Sequence, residues 1–271
     1  NYLGDAAYDI VGQDIVNHSI NDILVQGADP LYFLDYIASS KLKKTCVERL
    51  IKSMSESCKL HNCPLIGGEL AEMPGIYKDS EIDIVGCITG IVEKKNIING
   101  KQNIKCNDMI IGLPSQGLHT NGFSFIRNIF KVRNISMENN NEFMEWISQP
   151  HKSYYNDIQI IKDSGIIISG ICHITGGGLV DNPPRITPDN LKLELNKNML
   201  MNEHFEWIQK QANIKSFEMY KHFNCGIGML IIVPQKSLKE LENIMFEHSI
   251  SYKKIGEVKY RKDDESQVQF I

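Results

Sequence analysis

Paired cysteine motifs are absent from this 271-residue sequence. It contains no C-x-x-C pair, and no group of histidines and cysteines has the spacing of a structural zinc site. The cysteines are odd in number and scattered, so they cannot all pair with one another: Cys46, Cys58, Cys63, Cys87, Cys106, Cys172 and Cys225. This usage favours reduced thiols, and we therefore expect a cytoplasmic protein.

Long apolar runs and an excess of positive charge are also missing. No stretch approaches the roughly 20 apolar residues that cross a bilayer, so no membrane segment is expected. The 29 basic and 33 acidic side chains give a net charge of -4, which provides no positive field for a nucleic acid polymer or an anionic membrane. Any phosphate-bearing partner is therefore expected to be a small molecule that a local site holds.

The length and the order of the patterns predict two α+β domains. A chain of 271 residues, 42% hydrophobic and 23% charged, is longer than a usual single domain. Strand and helix patterns alternate without the uniform rhythm of a parallel doubly wound sheet, so each half is expected to hold a mixed or antiparallel sheet with helices packed on it. The most polar stretch, 134–150, separates domains 1–150 and 151–271. In the second, 191–195 is predicted as an edge strand and 252–258 as the closing strand.

A helix predicted over residues 9–27 carries the first candidate ligand, Asp22. Apolar residues recur there at spacings of three and four, and Gly27 ends the pattern. Asp22 falls near the predicted C-terminal end, where the helix dipole disfavours a carboxylate. One interpretation is a solvated helix residue. The other is a ligand of a divalent ion, whose charge far outweighs the dipole.

Glu69 is the second candidate ligand. A short strand over 63–66 is expected to lead directly into Gly67, Gly68 and Glu69. A carboxylate that follows two glycines can approach a ligand closely, because no neighbouring side chain blocks access. Glu69 is either a turn acid or, with Asp22, one of two hard oxygen ligands of a divalent ion.

A polar loop at 114–122 is a candidate anion site. A strand over 108–113 precedes it, and a helix with Phe123 and Ile126 inward follows it. In this arrangement a helix N-terminus meets an anion, and Ser115, His119, Thr120 and Asn121 supply hydrogen-bond donors. The alternative is that these polar residues only cap the helix.

The stretch 173–185 combines a histidine with three consecutive glycines. A strand over 166–172 leads to His173, and Gly176, Gly177 and Gly178 follow. Glycines adopt positive φ at low steric cost and let backbone N–H groups turn toward phosphate. His173 is either an acid–base group or the hydrogen bond that holds a tight turn.

Several motifs, taken in order along nearly the whole chain, resemble the ATP-binding superfamily that includes the aminoimidazole ribonucleotide synthetases, also called phosphoribosylformylglycinamidine cyclo-ligases. They are Asn21-Asp22, Gly27-Ala28-Asp29-Pro30, Gly67-Gly68-Glu69, Glu72-Met73-Pro74-Gly75, Gly112-Leu113-Pro114-Ser115, Gly117-Leu118-His119, Asn121-Gly122, the stretch from His173 to Gly178, Glu218-Met219-Tyr220 and Phe223-Asn224. Relatives that share only the first signature are not expected to show the others together.

This resemblance implies an ATP-dependent ligase of purine biosynthesis. ATP would activate the amide oxygen of formylglycinamidine ribonucleotide, and a nitrogen would close the imidazole ring, releasing ADP and phosphate. The resemblance implies Mg2+ on Asp22 and Glu69, proton transfer by His173 or His119, and a homodimer with the ATP site near the interface of its N-terminal domains. The residues implied to bind the nucleotide and its phosphates are Asp22, Gly27, Gly67, Gly68, Glu69, Ser115, Asn121, Gly176, Gly177 and Gly178.

The sequence also departs from the family pattern. Leu70 stands where the family has threonine, His151 and Lys152 where it has threonine and arginine, and Asp181 where glutamate is common. Family members carry an Asp-Gly-Val-Gly-Thr-Lys loop that would precede Asn1, so we expect that the N-terminal domain begins upstream of this chain. A non-catalytic phosphate-binding module and another small-molecule kinase of the superfamily remain alternatives.

Overall fold

A computed structural model describes residues 2–79, 81–136 and 139–271. The chain forms two compact units. Unit 1 comprises Asn1–Ile97 and Pro150–Tyr155, and unit 2 comprises Ile98–Gln149 and Asn156–Ile271. Among the described residues, no helix combines the length and the apolar character that a membrane crossing requires.

Unit 1 is a three-stranded sheet with two helices on one face. It contains α1 (Ala6–Leu24), β1 (Asp29–Ser39), α2 (Lys44–Leu60), β2 (Leu65–Glu72) and β3 (Ile82–Ile91). β1 is central, parallel to β2 and antiparallel to β3. Side chains alternate between the faces of a strand, and Phe33 and Ile37 of β1 pack in a buried core with residues of both helices: Val16, Ile20, Leu50 and Met54.

Glycines in β3 let α1 lie directly on the sheet. A Cβ added to Gly86 would lie 2.5 Å from the Phe33 ring and 3.0 Å from the side chain of Ile15. One added to Gly90 would lie 2.7 Å from the side chain of Ile23. This close packing fixes the C-terminal part of α1 beside Gly90.

Unit 2 is built on a six-stranded sheet of order β5-β7-β4-β8-β6-β9. Neighbouring strands are antiparallel except β6 and β9, which are parallel. The strands are β4 (Met109–Pro114), β5 (Gly170–His173), β6 (Leu191–Leu195), β7 (Ile227–Val233), β8 (Lys253–Tyr260) and β9 (Val268–Phe270). The helices are α3 (Gly100–Asn103), α4 (Phe123–Arg133), α5 (Asn141–Ile147), α6 (Tyr155–Asp163, whose first residue belongs to unit 1), α7 (Gly178–Asp181), α8 (Glu203–Ala212), α9 (Ser216–His222) and α10 (Leu238–Glu247).

The predicted α+β class, with mixed and antiparallel sheets, is confirmed. Two strand assignments were wrong: Leu191–Leu195 is not an edge strand, and β8 is not the last strand, because Val268–Phe270 adds β9 beyond β6. The polar stretch 134–150 contains α5, whose Phe143 is buried. Residues 137 and 138 of that stretch lie outside the described part.

The compact units differ from the halves 1–150 and 151–271. β4 pairs with both β7 and β8, and this pairing draws residues 98–149 into unit 2. The short segment 150–155 belongs instead to unit 1, where side chains of α1 bind its backbone. Pairing between strands that are more than 100 residues apart in the sequence therefore sets the boundary between the two units.

Candidate functional site

The side chain of Asn224 fixes the conformation of the loop that follows β4 in unit 2. The amide oxygen of Asn224 accepts hydrogen bonds from the Ser115 hydroxyl and from the Gly226 N–H, both at 2.9 Å. Its amide nitrogen donates to the Gly117 carbonyl at 3.2 Å. Asn224 is buried, so one side chain fixes both ends of the turn around Ser115. Asn224 belongs to the Phe223-Asn224 motif, whose residues had no predicted role.

His119 lies inside this loop and is also buried. Its Nε2 accepts a hydrogen bond from the backbone N–H of Gln116 at 3.1 Å, which places the imidazole proton on Nδ1 when the ring is neutral. The backbone of His119 is in the left-handed region, with φ of +58°. This arrangement gives His119 a role in shaping the loop, and proton transfer by it stays a prediction.

The predicted meeting of a helix N-terminus with the polar loop is present. Gly122 precedes α4 with φ of +91°, and its carbonyl accepts the first helical hydrogen bond, from Ile126. A Cβ on Gly122 would lie 2.5 Å from the ring of Phe223, so glycine is required there. The N-terminus of this 11-residue helix therefore opens beside Asn121.

The glycine turn after β5 is closed by a second asparagine. The Asn182 amide oxygen accepts from the Thr175 N–H at 2.9 Å, and its nitrogen donates to the Thr175 hydroxyl at 3.2 Å. The Gly178 N–H donates to the Thr175 carbonyl at 2.9 Å. Asn182 is buried, so the turn has a fixed shape.

The two loops meet in unit 2. A Cβ added to Gly176 would lie 3.1 Å from Oδ1 of Asn121. Gly176 is exposed, whereas Gly178 is buried. The structure therefore brings the 115–122 loop and the 176–178 turn together.

His173 is the last residue of β5 and lies at the start of this turn. Its backbone pairs with Met229 of β7, and the next N–H, of Ile174, donates to the Gly228 carbonyl at 2.9 Å. The ring is buried. The strand pairing fixes the position of His173, and its role as acid–base group or turn support stays open.

In unit 1, Asp22 lies in the last turn of α1 with its side chain about half exposed. Nε2 of His18, one turn earlier, is 3.3 Å from Oδ2 of Asp22. Gly27 follows the helix with φ of +79°, and its N–H donates to the Leu24 carbonyl at 2.8 Å. An imidazole beside a carboxylate orients it, and the Asp22 side chain remains about half exposed.

Glu69 does not lie where the sequence predicted. β2 continues through Gly67 and Gly68 to Glu72, so Glu69 is inside an edge strand and opposite Tyr36 of β1. A Cβ on Gly68 would overlap the Asp35 carboxylate and lie 2.6 Å from the Asp35 carbonyl, so the packing of β2 against β1 requires glycine at this position. The expected release of Glu69 from a strand end is therefore wrong.

Asp22 of α1 and Glu69 of β2 lie beside distant positions of β1. The residue after Asp22, Ile23, packs on Gly90, which pairs with Pro30. Glu69 pairs with Tyr36, six residues further along β1, which is roughly 20 Å at about 3.3 Å per residue. The structure therefore does not bring the two predicted metal ligands together within one chain.

Comparison with known proteins agrees with this fold and these motifs. The family described as AIR synthase related protein, N-terminal domain, matches residues 2–92, and AIR synthase related protein, C-terminal domain, matches residues 105–269. Phosphoribosylformylglycinamidine cyclo-ligases of Neisseria meningitidis serogroups C and A are 39% identical over 267 residues, which cover 97% of this chain and 77% of theirs.

Solved structures show the same fold at low identity. A hydrogenase maturation protein HypE has a TM-score of 0.72 at 15% identity, covering 95% of this chain and 78% of its own. Thiamine monophosphate kinase from Aquifex aeolicus has a TM-score of 0.66 at 16% identity, covering 97% of this chain and 80% of its own. The resemblance inferred from the motifs is confirmed, and this chain belongs to the AIR synthase related protein family.

Proposed function

We propose that this protein uses ATP to close the imidazole ring of aminoimidazole ribonucleotide from formylglycinamidine ribonucleotide, with release of ADP and phosphate. The observation that carries the proposal is the 39% identity to phosphoribosylformylglycinamidine cyclo-ligases over 97% of the chain. The two loops that meet in unit 2 also support the proposed reaction. The reaction requires two phosphate-bearing molecules to be bound, and because the protein has no general positive field, a local site has to hold them.

Phosphoryl transfer asks the protein mainly to position reactants and to stabilise charge. A bound Mg2+ supplies neutralisation of the phosphate oxygens. Asp22 is suited to the role of a metal ligand, because its side chain is about half exposed and His18 orients the carboxylate. The β1 positions nearest to Asp22 and Glu69, Pro30 and Tyr36, lie roughly 20 Å apart along the strand, so we infer that an ion bound by both residues takes them from two copies of the chain.

The 176–178 turn and the 115–122 loop are the proposed phosphate cradle. Asn182 and Asn224 hold the two loops in place before any ligand arrives, which lowers the entropy cost of binding. The ring-closing nitrogen must lose a proton. We assign this proton to His173, because Nε2 of His119 already accepts the Gln116 N–H.

The direct test is phosphate release from ATP by the full-length protein with and without formylglycinamidine ribonucleotide. Release is expected only when both are present. Asp22→Asn should lower kcat at least about 100-fold, because a metal-ligand charge is lost. Asp163→Asn is the matched control, since Asp163 is an exposed acid at the end of another helix, α6, and should keep full activity.

Three results would overturn parts of this proposal. Ribonucleotide binding without turnover would indicate a phosphate-binding module, and release with a different small substrate would indicate another kinase of the superfamily. An Asp22→Asn enzyme with unchanged turnover would remove the metal assignment only.

The exposed sheet face of unit 1 supports a homodimer. The face opposite the helices carries Val85, whose side chain is 49% exposed, on β3 next to Tyr36 of β1. Other large apolar residues of unit 1 are exposed as well: Leu31, Ile66, Leu70 and Ile91. A second copy of the chain is the proposed cover for this face.

The free state of all seven cysteines supports a reducing, cytoplasmic location.

Val85→Asp is expected to convert the dimer to a monomer, since it places a charge in the centre of a desolvated apolar face. Sedimentation should show the dimer dissociation constant raised more than about 100-fold. Val132→Asp is the control, because Val132 is 70% exposed on α4 of unit 2 and should leave the dimer intact. A monomeric wild-type protein, or a dimeric Val85→Asp variant, contradicts the proposed interface.

A further inference from the structure

A cavity of about 380 Å3 in unit 2 is lined by the N-terminal turns of α5 and α8. The residues that line it are 139–142 and Phe143 at the start of α5, and Glu203, His204 and Trp207 on α8. None of these residues belongs to the two loops of the proposed phosphate cradle. We call this space the α5–α8 cavity, and the proposed reaction does not use it.

Three aromatic side chains line the α5–α8 cavity. The rings of Phe143 and Trp207 have their centroids 4.4 Å apart. The His204 ring stacks on that of Trp146, with centroids 4.5 Å apart and an interplanar angle of 6°. Phe143 is buried, whereas His204 and Trp207 are partly exposed. Ring packing therefore holds these side chains in place and leaves part of their aromatic surface accessible to a ligand.

The polar part of the lining carries negative charge. Glu142 of α5 and Glu203 of α8 are both exposed, and residues 139–141 are asparagines whose amide oxygens accept hydrogen bonds. Within residues 2–79, 81–136 and 139–271, no lysine or arginine lines the cavity and neither glutamate forms a salt bridge. The charge of the two carboxylates is therefore not compensated locally, and it attracts a cation.

The lining suits an organic cation better than a metal ion. In the described part of the chain, neither glutamate belongs to a group of three metal-ligating side chains that could share one ion. An ammonium group, in contrast, pairs with carboxylates and is also attracted to the face of a tryptophan ring. The cavity volume falls within the roughly 300–1,000 Å3 that is usual for small-molecule sites. Two carboxylates on different helices fit a ligand with two ammonium groups.

We propose that the α5–α8 cavity binds an aliphatic polyamine, a molecule with two or three ammonium groups joined by methylene chains. One ammonium group pairs with Glu142 and another with Glu203, while the methylenes cover the aromatic side chains. The asparagine amides accept hydrogen bonds from the remaining N–H donors. This binding does not depend on the proposed ring closure.

The test is a spermidine titration of the full-length protein at low ionic strength, followed by tryptophan fluorescence and by calorimetry. The 271-residue sequence has two tryptophans: Trp207 lines the cavity and Trp146 stacks on His204. Emission therefore reports on this site. We expect one equivalent of spermidine to bind with a saturable change in fluorescence, and butylamine, which has a single ammonium group, to bind more weakly.

Glu142→Gln and Glu203→Gln should each weaken spermidine binding about 5-fold, because each removes one carboxylate that pairs with an ammonium group. Trp207→Leu should weaken it by a similar factor, measured by calorimetry, through loss of the aromatic face. Glu206→Gln is the matched control. Glu206 is exposed on the same helix and loses the same charge, but it does not line the cavity, so its affinity should stay within about twofold of the wild type.

The other outcomes contradict the proposal. Absence of spermidine binding, equal loss of affinity in Glu206→Gln and Glu203→Gln, or equal affinities for spermidine and butylamine would each overturn it. The same fluorescence change with Mg2+ in place of spermidine would also overturn it, since it would indicate attraction of any cation to acidic residues. If Trp207→Leu does not fold, the two exposed glutamate variants decide the test.

Discussion

Gly178→Ala is expected to lower the free energy of unfolding by about 2–5 kcal/mol, a large part of the stability of a typical domain. Gly178 has φ of +58°, where an L side chain costs roughly 1–2 kcal/mol. A Cβ there would overlap the Tyr220 carbonyl oxygen and lie 2.9 Å from the Lys221 carbonyl oxygen. Both are backbone atoms of α9, so no rotamer change relieves the overlap, which adds roughly 1–3 kcal/mol.

Gly176→Ala is the matched control for this prediction. The nearest atom to an added Cβ is Oδ1 of Asn121 at 3.1 Å, the end of a side chain that can rotate, and Gly176 is exposed without a positive φ. Its stability should change by less than about 1 kcal/mol, while phosphate binding weakens because the cradle is partly filled. Urea unfolding monitored by circular dichroism compares the two. Equal midpoints for both variants would show that the overlap at Gly178 is relieved by a backbone shift.

The long elements could be predicted because their periodicity is local. The apolar stripe over 9–27 predicts α1, which spans Ala6–Leu24, and the aromatic and branched run over 31–39 predicts β1, which spans Asp29–Ser39. β9 has only three residues and no period of its own, so nothing local distinguishes it from a loop. β6 was predicted at an edge because its residues alternate between apolar and polar. Its neighbours are set by pairing with distant strands, which a strand's own sequence does not encode.

In the candidate site too, local features could be predicted, and contacts between residues distant in the sequence could not. Glycine motifs indicated the 115–122 loop and the 176–178 turn, since glycine is needed where backbone must approach a ligand. Asn224 holds the 115–122 loop and Asp14 holds the 150–155 segment, and their partners, Gly117 and His151, lie more than 100 residues away in the sequence. The motif that contains Asn224 was a signal, whereas Asp14 lies in no motif, and the role of both residues required the structure.

Asp14 carries the second large effect, on the pH dependence of stability. Its carboxylate accepts the His151 N–H at 2.7 Å, yet burial dominates and raises its pKa to about 6. The His151 hydrogen bond and the charge of His18 oppose this shift. Because the folded pKa is above the unfolded value of about 3.9, the stability that Asp14 contributes is complete below about pH 4 and is lost as pH rises through about 6.

Asp14→Asn should therefore stabilise the protein at pH 8 by up to about 3 kcal/mol, which is roughly two pKa units at 1.36 kcal/mol each. Asparagine keeps the oxygen that accepts the His151 N–H but cannot ionise. At pH 4 the variant and the wild type should unfold at nearly the same urea concentration, and the difference should appear between about pH 4 and pH 6. Other carboxylates cancel in this difference, and Asp163→Asn, at an exposed side chain, is the matched control. A difference that is constant with pH would mean that hydrogen bonding by Asp14, and not burial of its charge, sets the stability of the 150–155 segment.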